Sequence, residues 1–176
     1  ASGGKIQHGR FWSLPAGPPA PVADVADLAE RVRHTLLGAV RRQLASDVPL
    51  GAFLSGGIDS SILVAAMREV SAAPPLTFSV GFGDPTYSEL RHARAVAAHC
   101  GTRHHEQILT PDYRSLLPEV LSQLDQPIAD FSVFPTLLLA RMARRRVTVA
   151  LGGDGGDELF GGYDAYRADR LSARLL

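Results

Sequence analysis

The stretch that most limits what this chain can fold into is Ser55-Gly56-Gly57-Ile58-Asp59-Ser60-Ser61. An apolar run, Leu50-Gly51-Ala52-Phe53-Leu54, leads into it, and an apolar-periodic stretch, Ile62-Leu63-Val64-Ala65-Ala66-Met67, leaves it. That order reads as buried strand, tight glycine-rich turn, helix. Such a turn aims several backbone N–H groups and the positive end of a helix at one place, which suits anionic oxygens, usually phosphate. The other reading is a plain strand-to-helix turn in which Asp59 and Ser60 serve the first helical turn.

The flanking chain extends the alternation. From Asp24, residues Val25, Leu28, Val32, Leu36, Ala39, Val40 and Leu44 recur at helical spacing with Arg31, Arg33, Arg41 and Arg42 between them. That amphipathic helix must end before Val48-Pro49. Strands are predicted at 50–54, 76–80, 105–109 and 147–151. Helices are predicted at 59–70, at 89–100 with Gly101 as its stop, at 132–145 and from Asp164 onward. Thr110-Pro111 reads as the N-cap and first residue of one more helix, with Leu116, Leu117, Val120, Leu121 and Leu124 inward. Phe11-Trp12-Ser13-Leu14 reads as a short strand. Strands alternating with helices predict an α/β fold, a parallel sheet with helices on both faces.

Residues 1–23 carry Gly3, Gly4, Gly9, Gly17, Pro15, Pro18, Pro19 and Pro21 and read as a tail or linker. The remainder, 24–176, is of single-domain size. Leu171 to Leu176 stop inside a helical pattern without a cap, which predicts a chain cut at that end. Eighteen Lys and Arg balance eighteen Asp and Glu, so no general polyanion-binding surface is indicated, although local basic patches remain open. Cys100 is the one cysteine, so there is no disulfide framework. No apolar stretch is long enough to span a bilayer and no signal-peptide core follows the first residues. The expectation is a cytoplasmic protein with no membrane and no nucleic-acid partner.

Residue identity narrows the chemistry of the first loop. It lacks the Lys-Ser/Thr ending of a Walker A loop and is not Gly-x-Gly-x-x-Gly. It offers two glycines, the hydroxyls of Ser55, Ser60 and Ser61, and one acid. An acid beside a phosphate site is repulsive unless a cation lies between them, so Asp59 suggests Mg²⁺. A second loop, Gly152-Gly153-Asp154-Gly155-Gly156-Asp157-Glu158, follows the fourth strand. Read plainly it is a flexible acidic turn. Parallel sheets, however, bind ligands at the carboxyl ends of strands where strand order reverses. In a sheet of order 3-2-1-4 the strands before the two loops are neighbours, and Asp59 and Asp157 could share a cation.

The run Asp47 to Ser61 resembles the pyrophosphate loop (PP-loop) of glutamine-dependent asparagine synthetases. Thr77-Phe78-Ser79-Val80-Gly81-Phe82 resembles the second strand of that family, and Gly101-Thr102-Arg103-His104-His105-Glu106 the approach to its third. Ala150 to Tyr163 resembles its Gly-Asp-Gly-Gly-Asp-Glu segment. Together the matches cover about residues 25 to 170 in order. The resemblance implies the synthetase half of such an enzyme, an N-type ATP pyrophosphatase domain with the adenine nucleotide α-hydrolase fold, Rossmann-like, in strand order 3-2-1-4. It implies a ligase that adenylates the side-chain carboxylate of aspartate with MgATP, releases pyrophosphate, and lets ammonia displace AMP. Cofactor contacts carry over to Leu54, Ser55, Gly56, Gly57, Asp59, Ser60, Val80, Gly152, Gly153 and Asp154. Asp59 and Asp157 carry over as the magnesium carboxylates, and Asp59, Asp157 and Glu158 as the catalytic acids.

Departures accompany the matches. Gly152 stands where the family usually has serine, and Ser88 precedes Glu89 where an Asp-Glu pair is frequent. The chain begins with Ala1, not with the cysteine nucleophile of the family's glutaminase, so residues 1–23 are expected to follow a glutaminase domain that is missing here. The family's downstream catalytic lysine is also absent. The resemblance implies aspartate and ammonia as partners and a homodimer as the full-length oligomer. Two alternatives stay open: a β-lactam synthetase-like relative that activates another carboxylate, and a nucleotide-binding module without catalysis.

Other features have plainer readings. His99, Cys100, His104 and His105 could suggest a metal, but Cys100 reads as a buried helix residue and the two adjacent histidines alternate faces. Arg141, Arg144, Arg145 and Arg146 read as a solvated helix end suited to its dipole rather than a nucleic-acid patch. Asp125 to Asp130 reads equally as substrate approach or inter-helix loop. Glu89 reads as site-adjacent. Tyr163 and Tyr166 read equally as packing residues or ligand contacts.

Overall fold

The computed structural model describes residues 8–13, 24–83, 88–110 and 112–172. Four parallel strands, β1 (Leu50–Phe53), β2 (Leu76–Phe82), β3 (Arg103–Leu109) and β4 (Val149–Leu151), form one sheet in the order β3-β2-β1-β4. Among the described residues seven helices accompany them: α1 (Val25–Gln43), α2 (Ile58–Val70), α3 (Leu90–Cys100), α4 (Tyr113–Gln123), α5 (Val133–Arg144), α6 (Gly156–Phe160) and α7 (Asp164–Ser172). The expected α/β class and strand order are both present.

Strand alternation divides the core in two. Ala52 and Leu54 face α1, α2 and α3, where they pack with Val40, Val64, Met67, Ala93, Ala97 and Cys100. Phe53, Leu76, Phe78 and Val80 face the other way, against Leu139, Met142 and Ala143 of α5 and against Val147. Both sheet faces are therefore covered, as a parallel sheet requires. Cys100 is buried in the first core. Thr77 is paired in register with His104, and Phe78 with His105, so the two histidines take opposite faces.

Several boundaries differ from the sequence reading. β2 runs two residues further, to Phe82, and β3 starts two residues earlier, at Arg103. Backbone pairing between neighbouring strands continues past the apolar run that signalled each one. β4 starts at Val149, because the Val147 N–H bonds back to Ala143 O at the end of α5 and Val147 packs into the second core. Asp112 caps α4 by accepting from Arg114 N at 3.1 Å; the expected Thr110-Pro111 start fails at Thr110, and Pro111 lies outside the described residues. Along α4 only Val120 is buried, while Leu117 and Leu121 are exposed rather than inward. The hydrophobic stripe of that helix is wider than the surface α5 covers. Phe11, Trp12 and Ser13 form no strand, and Leu14 lies outside the described residues.

Candidate functional site

A cleft of about 950 Å³ opens at the carboxyl ends of β1, β2 and β4. That is within the size range of small-molecule sites, and it lies where strand order reverses. Its first wall is the turn from β1 into α2. No side chain caps α2 at Gly57, so its first-turn N–H groups face the cleft without a capping partner. The serines shape the turn. Gly57 N donates to Ser55 Oγ at 3.1 Å, the Ser55 and Ser60 hydroxyls lie 3.0 Å apart, and Ser61 Oγ donates to Gly57 O at 2.7 Å. Buried Ser79 donates to Leu54 O, tying the end of β1 to β2.

Gly56, between the lining residues Ser55 and Gly57, is packed against α3. It sits at φ 89°, and a Cβ there would stand 2.5 Å from Ala93 N. The loop backbone is thus pressed against the first turns of α3, an approach that only glycine permits.

The second loop closes onto the first. A Cβ on Gly153 would stand 3.0 Å from Ser60 N and 3.2 Å from Asp59 Cβ, and one on Gly156 would run into the Asp59 carboxylate. The glycines of this segment, expected to suit a mobile or close-approach loop, let its backbone lie against Asp59. The segment is also more ordered than a mobile acidic turn: Gly155, at φ 90°, leads into the short helix α6. Gly152, Gly153, Asp154, Asp157 and Glu158 all line the cleft together with Leu54, Ser55, Gly57, Asp59, Ser60 and Val80. Of the predicted site residues, only Gly56 stands outside the lining.

Glu89, read from sequence as site-adjacent, is in the lining; the remaining lining, Tyr163 apart, was not singled out from sequence as binding residues. Phe53, Phe78, Phe82, Pro135 and Leu139 make an apolar end opposite the acids, and Thr136 and Glu89 stand beside it. The aromatic members come from strands, Phe53 and Phe82 from the ends of β1 and β2 and Phe78 from within β2, so their strand assignment was the available signal. Tyr163 lines the cleft and donates to Glu158 at 2.9 Å, while Tyr166 stacks edge-on against it from outside the lining. The hydrogen bond and charge of Glu158 hold the Tyr163 phenol above its ordinary range. Asp125 to Asp130 are exposed and do not line the cleft.

The arrangement thus has uncapped helix N–H groups at one end, carboxylates beside them and an apolar slot at the other end. It suits a ligand with an anionic chain and a flat apolar ring, with a cation between acids and anion. The fold class agrees. The NH3-dependent NAD synthetase of Campylobacter jejuni matches with TM-score 0.51 at 16% identity, over 76% of this chain and 60% of its own. The NMN synthetase of Francisella tularensis matches with TM-score 0.54 at 15% identity, over 76% and 58%. At such identities the likeness is one of fold, and the fold is that of the adenine nucleotide α-hydrolases.

Sequence relationships go further. The family model described as asparagine synthase matches residues 31–176, and the chain belongs to that family. Asparagine synthetase [glutamine-hydrolyzing] 1 of Bacillus subtilis is 43% identical over 142 residues, 80% of this chain and 22% of its own length. A Methanocaldococcus jannaschii protein named for the same activity is 42% identical over 165 residues, 90% of this chain and 32% of its own length. The chain therefore spans a third or less of the curated relatives it matches.

Proposed function

We propose that this chain is the nucleotide-binding part of an ATP-dependent amide-forming ligase that makes asparagine. The observation that carries the reading is the meeting of the uncapped α2 turn, Asp59 and the Asp154–Glu158 loop in one cleft with an apolar far end. In this reading residues 24–176 are the ATP-pyrophosphatase part of a longer cytoplasmic protein. Residues 1–23 link it to a glutaminase that supplies ammonia, and the whole protein forms a homodimer.

The chemistry asks for a grip on the leaving group. The aspartate side-chain carboxylate attacks the α-phosphorus of ATP, the α–β bridging bond breaks, and pyrophosphate departs. Ammonia then attacks the activated carbonyl carbon, AMP leaves, and a proton is lost to solvent. Backbone N–H groups at Ile58 to Ser60 and the Ser55 and Ser60 hydroxyls hold the pyrophosphate oxygens. Leu54, Val80 and Gly153 line the adenosine, with Gly152 and Asp154 beside it. Asp59 and Asp157 suit Mg²⁺ as hard oxygen ligands, and the bound ion neutralises the negative charge of the phosphates. Glu158, held by Tyr163, keeps a further carboxylate at the same wall. Preorganised donors facing the departing charge provide the main stabilisation of such a step.

Aspartate-dependent ATP–pyrophosphate exchange by the full-length protein tests the reading. Exchange with aspartate is the expected result. Exchange only with a different carboxylate would replace asparagine by another amide product. MgATP binding without any AMP formation would reduce the site to a nucleotide-binding module.

A further inference from the structure

At the opposite end of the sheet a second hollow, of about 550 Å³, is lined by Leu76, Arg103, His104, His105 and Arg146. Leu76 and Arg103 are the first residues of β2 and β3 and are paired in register. Arg146 lies in the turn between α5 and β4. The hollow is thus assembled at the amino ends of the strands, while the nucleotide cleft sits at their carboxyl ends. His105 rests on Phe78 with ring centroids 5.6 Å apart and planes 26° from parallel. His104 belongs to the other face, where its Nδ1 lies 3.0 Å from Thr77 Oγ1.

No acid lines this hollow. Some arginines are paired, Arg33 with Glu30 and Glu69, Arg94 with Glu106 and Arg141 with Glu119. Among the described residues Arg41, Arg42, Arg91, Arg114 and Arg145 stand without a salt bridge on the outer surface; what sets Arg103 and Arg146 apart is that they share one hollow. Arg144, from the same basic run as Arg146, donates to Thr148 at 2.8 Å. Among the described residues Arg103 and Arg146 form no salt bridge. Arg146 alone could be explained by the carbonyl end of α5. Arg103 and His105 come from β3 and need another explanation. The uncompensated charge is felt locally: burial first, then Arg146 and Arg103, hold His105 below its ordinary value.

We infer that Arg103, His105 and Arg146 form a second binding site, separate from the nucleotide cleft, for a small phosphate- or carboxylate-bearing molecule. Two guanidinium forks from different elements match the oxygens of such a group, and Leu76 gives its carbon skeleton an apolar floor. An imidazole with its face on Phe78 presents ring nitrogens edgewise as the third polar contact.

The test is a titration of the full chain with inorganic phosphate, and separately with succinate, at constant ionic strength. The His105 ring resonances are the readout; Phe78 beneath the ring also lines the nucleotide cleft, so a shift is assigned to this hollow only where Arg103→Gln or Arg146→Gln weakens it. Saturable shifts with either probe are expected, and the tighter probe identifies the group recognised. Arg103→Gln and Arg146→Gln, both at exposed positions, should each weaken binding roughly ten-fold. Shifts that never saturate, or saturation that both substitutions leave unchanged, would overturn the assignment. Either outcome leaves the reading of the nucleotide cleft standing.

Discussion

Asp59 is an acid in a turn otherwise suited to anions, and its neighbours show why it is there. Gly153 and Gly156 bring the backbone of a second acidic loop against it, so the carboxylate belongs to two walls of one cleft. Asp59→Asn should therefore lower ATP–pyrophosphate exchange by the full-length protein by about a hundred-fold or more, with little change in its urea midpoint. Gly56→Ala should behave in the opposite way. Positive φ and contact with the α3 backbone predict a loss of about 1–3 kcal/mol, read as a lower urea midpoint. The histidine beside Thr77 gives a pH prediction. Burial holds His104 below its ordinary value, the dominant influence there, although Glu106 opposes it. Its contribution is thus fully present above the unfolded imidazole value of about 6.5 and is lost as pH falls, because the unfolded chain takes the proton first. Glu106, hydrogen-bonded to Arg94, is held below the usual carboxylate range and adds a second loss at lower pH. The thermal midpoint should fall from pH 7.5 to pH 5.5, in the range about the ordinary histidine value, and fall less in His104→Gln.

At the scale of elements, α2 and α4 show how differently a hydrophobic pattern can be used. Val64 of α2 is fully buried between the sheet and its helical neighbours. Val64→Ala should cost about 2 kcal/mol in chemical unfolding, from lost burial and an unfilled cavity. Leu121 of α4 carries an equally strong apolar signal but is 59% exposed. Leu121→Ser should change stability by no more than about 0.5 kcal/mol. Periodicity identifies an apolar stripe and its direction around a helix. It does not say how much of that stripe a neighbouring element covers. The same limit explains α6, hidden within a run of glycines and acids whose local signals all point to a loop. Its short turn of helix is held by tertiary contact with the first loop, not by propensity.

For the whole molecule, several large apolar side chains stand on the described surface. Leu117, Leu121, Phe131, Leu159 and Phe160 are all exposed, and the formal net charge is zero. The isolated chain should therefore self-associate as its concentration rises, and sedimentation velocity at several loadings checks this. The sequence by itself determined the alternation of strands and helices, the parallel sheet and the two loops that carry the acids, and its resemblance to a known family implied the strand order. Those features follow from local period and turn chemistry, which the chain displays residue by residue, and from motif order. Only the tertiary structure decided that Gly56 is pressed against α3, and that Gly153 and Gly156 are the glycines lying against Asp59. It alone also brought Arg103, His105 and Arg146 together. Each of these depends on distances between segments far apart in the chain, and no local pattern encodes them. The loop from Ser55 to Ser61 was legible as a strand-to-helix turn suited to anions, and how closely the second loop lies against it was settled by how the sheet folds.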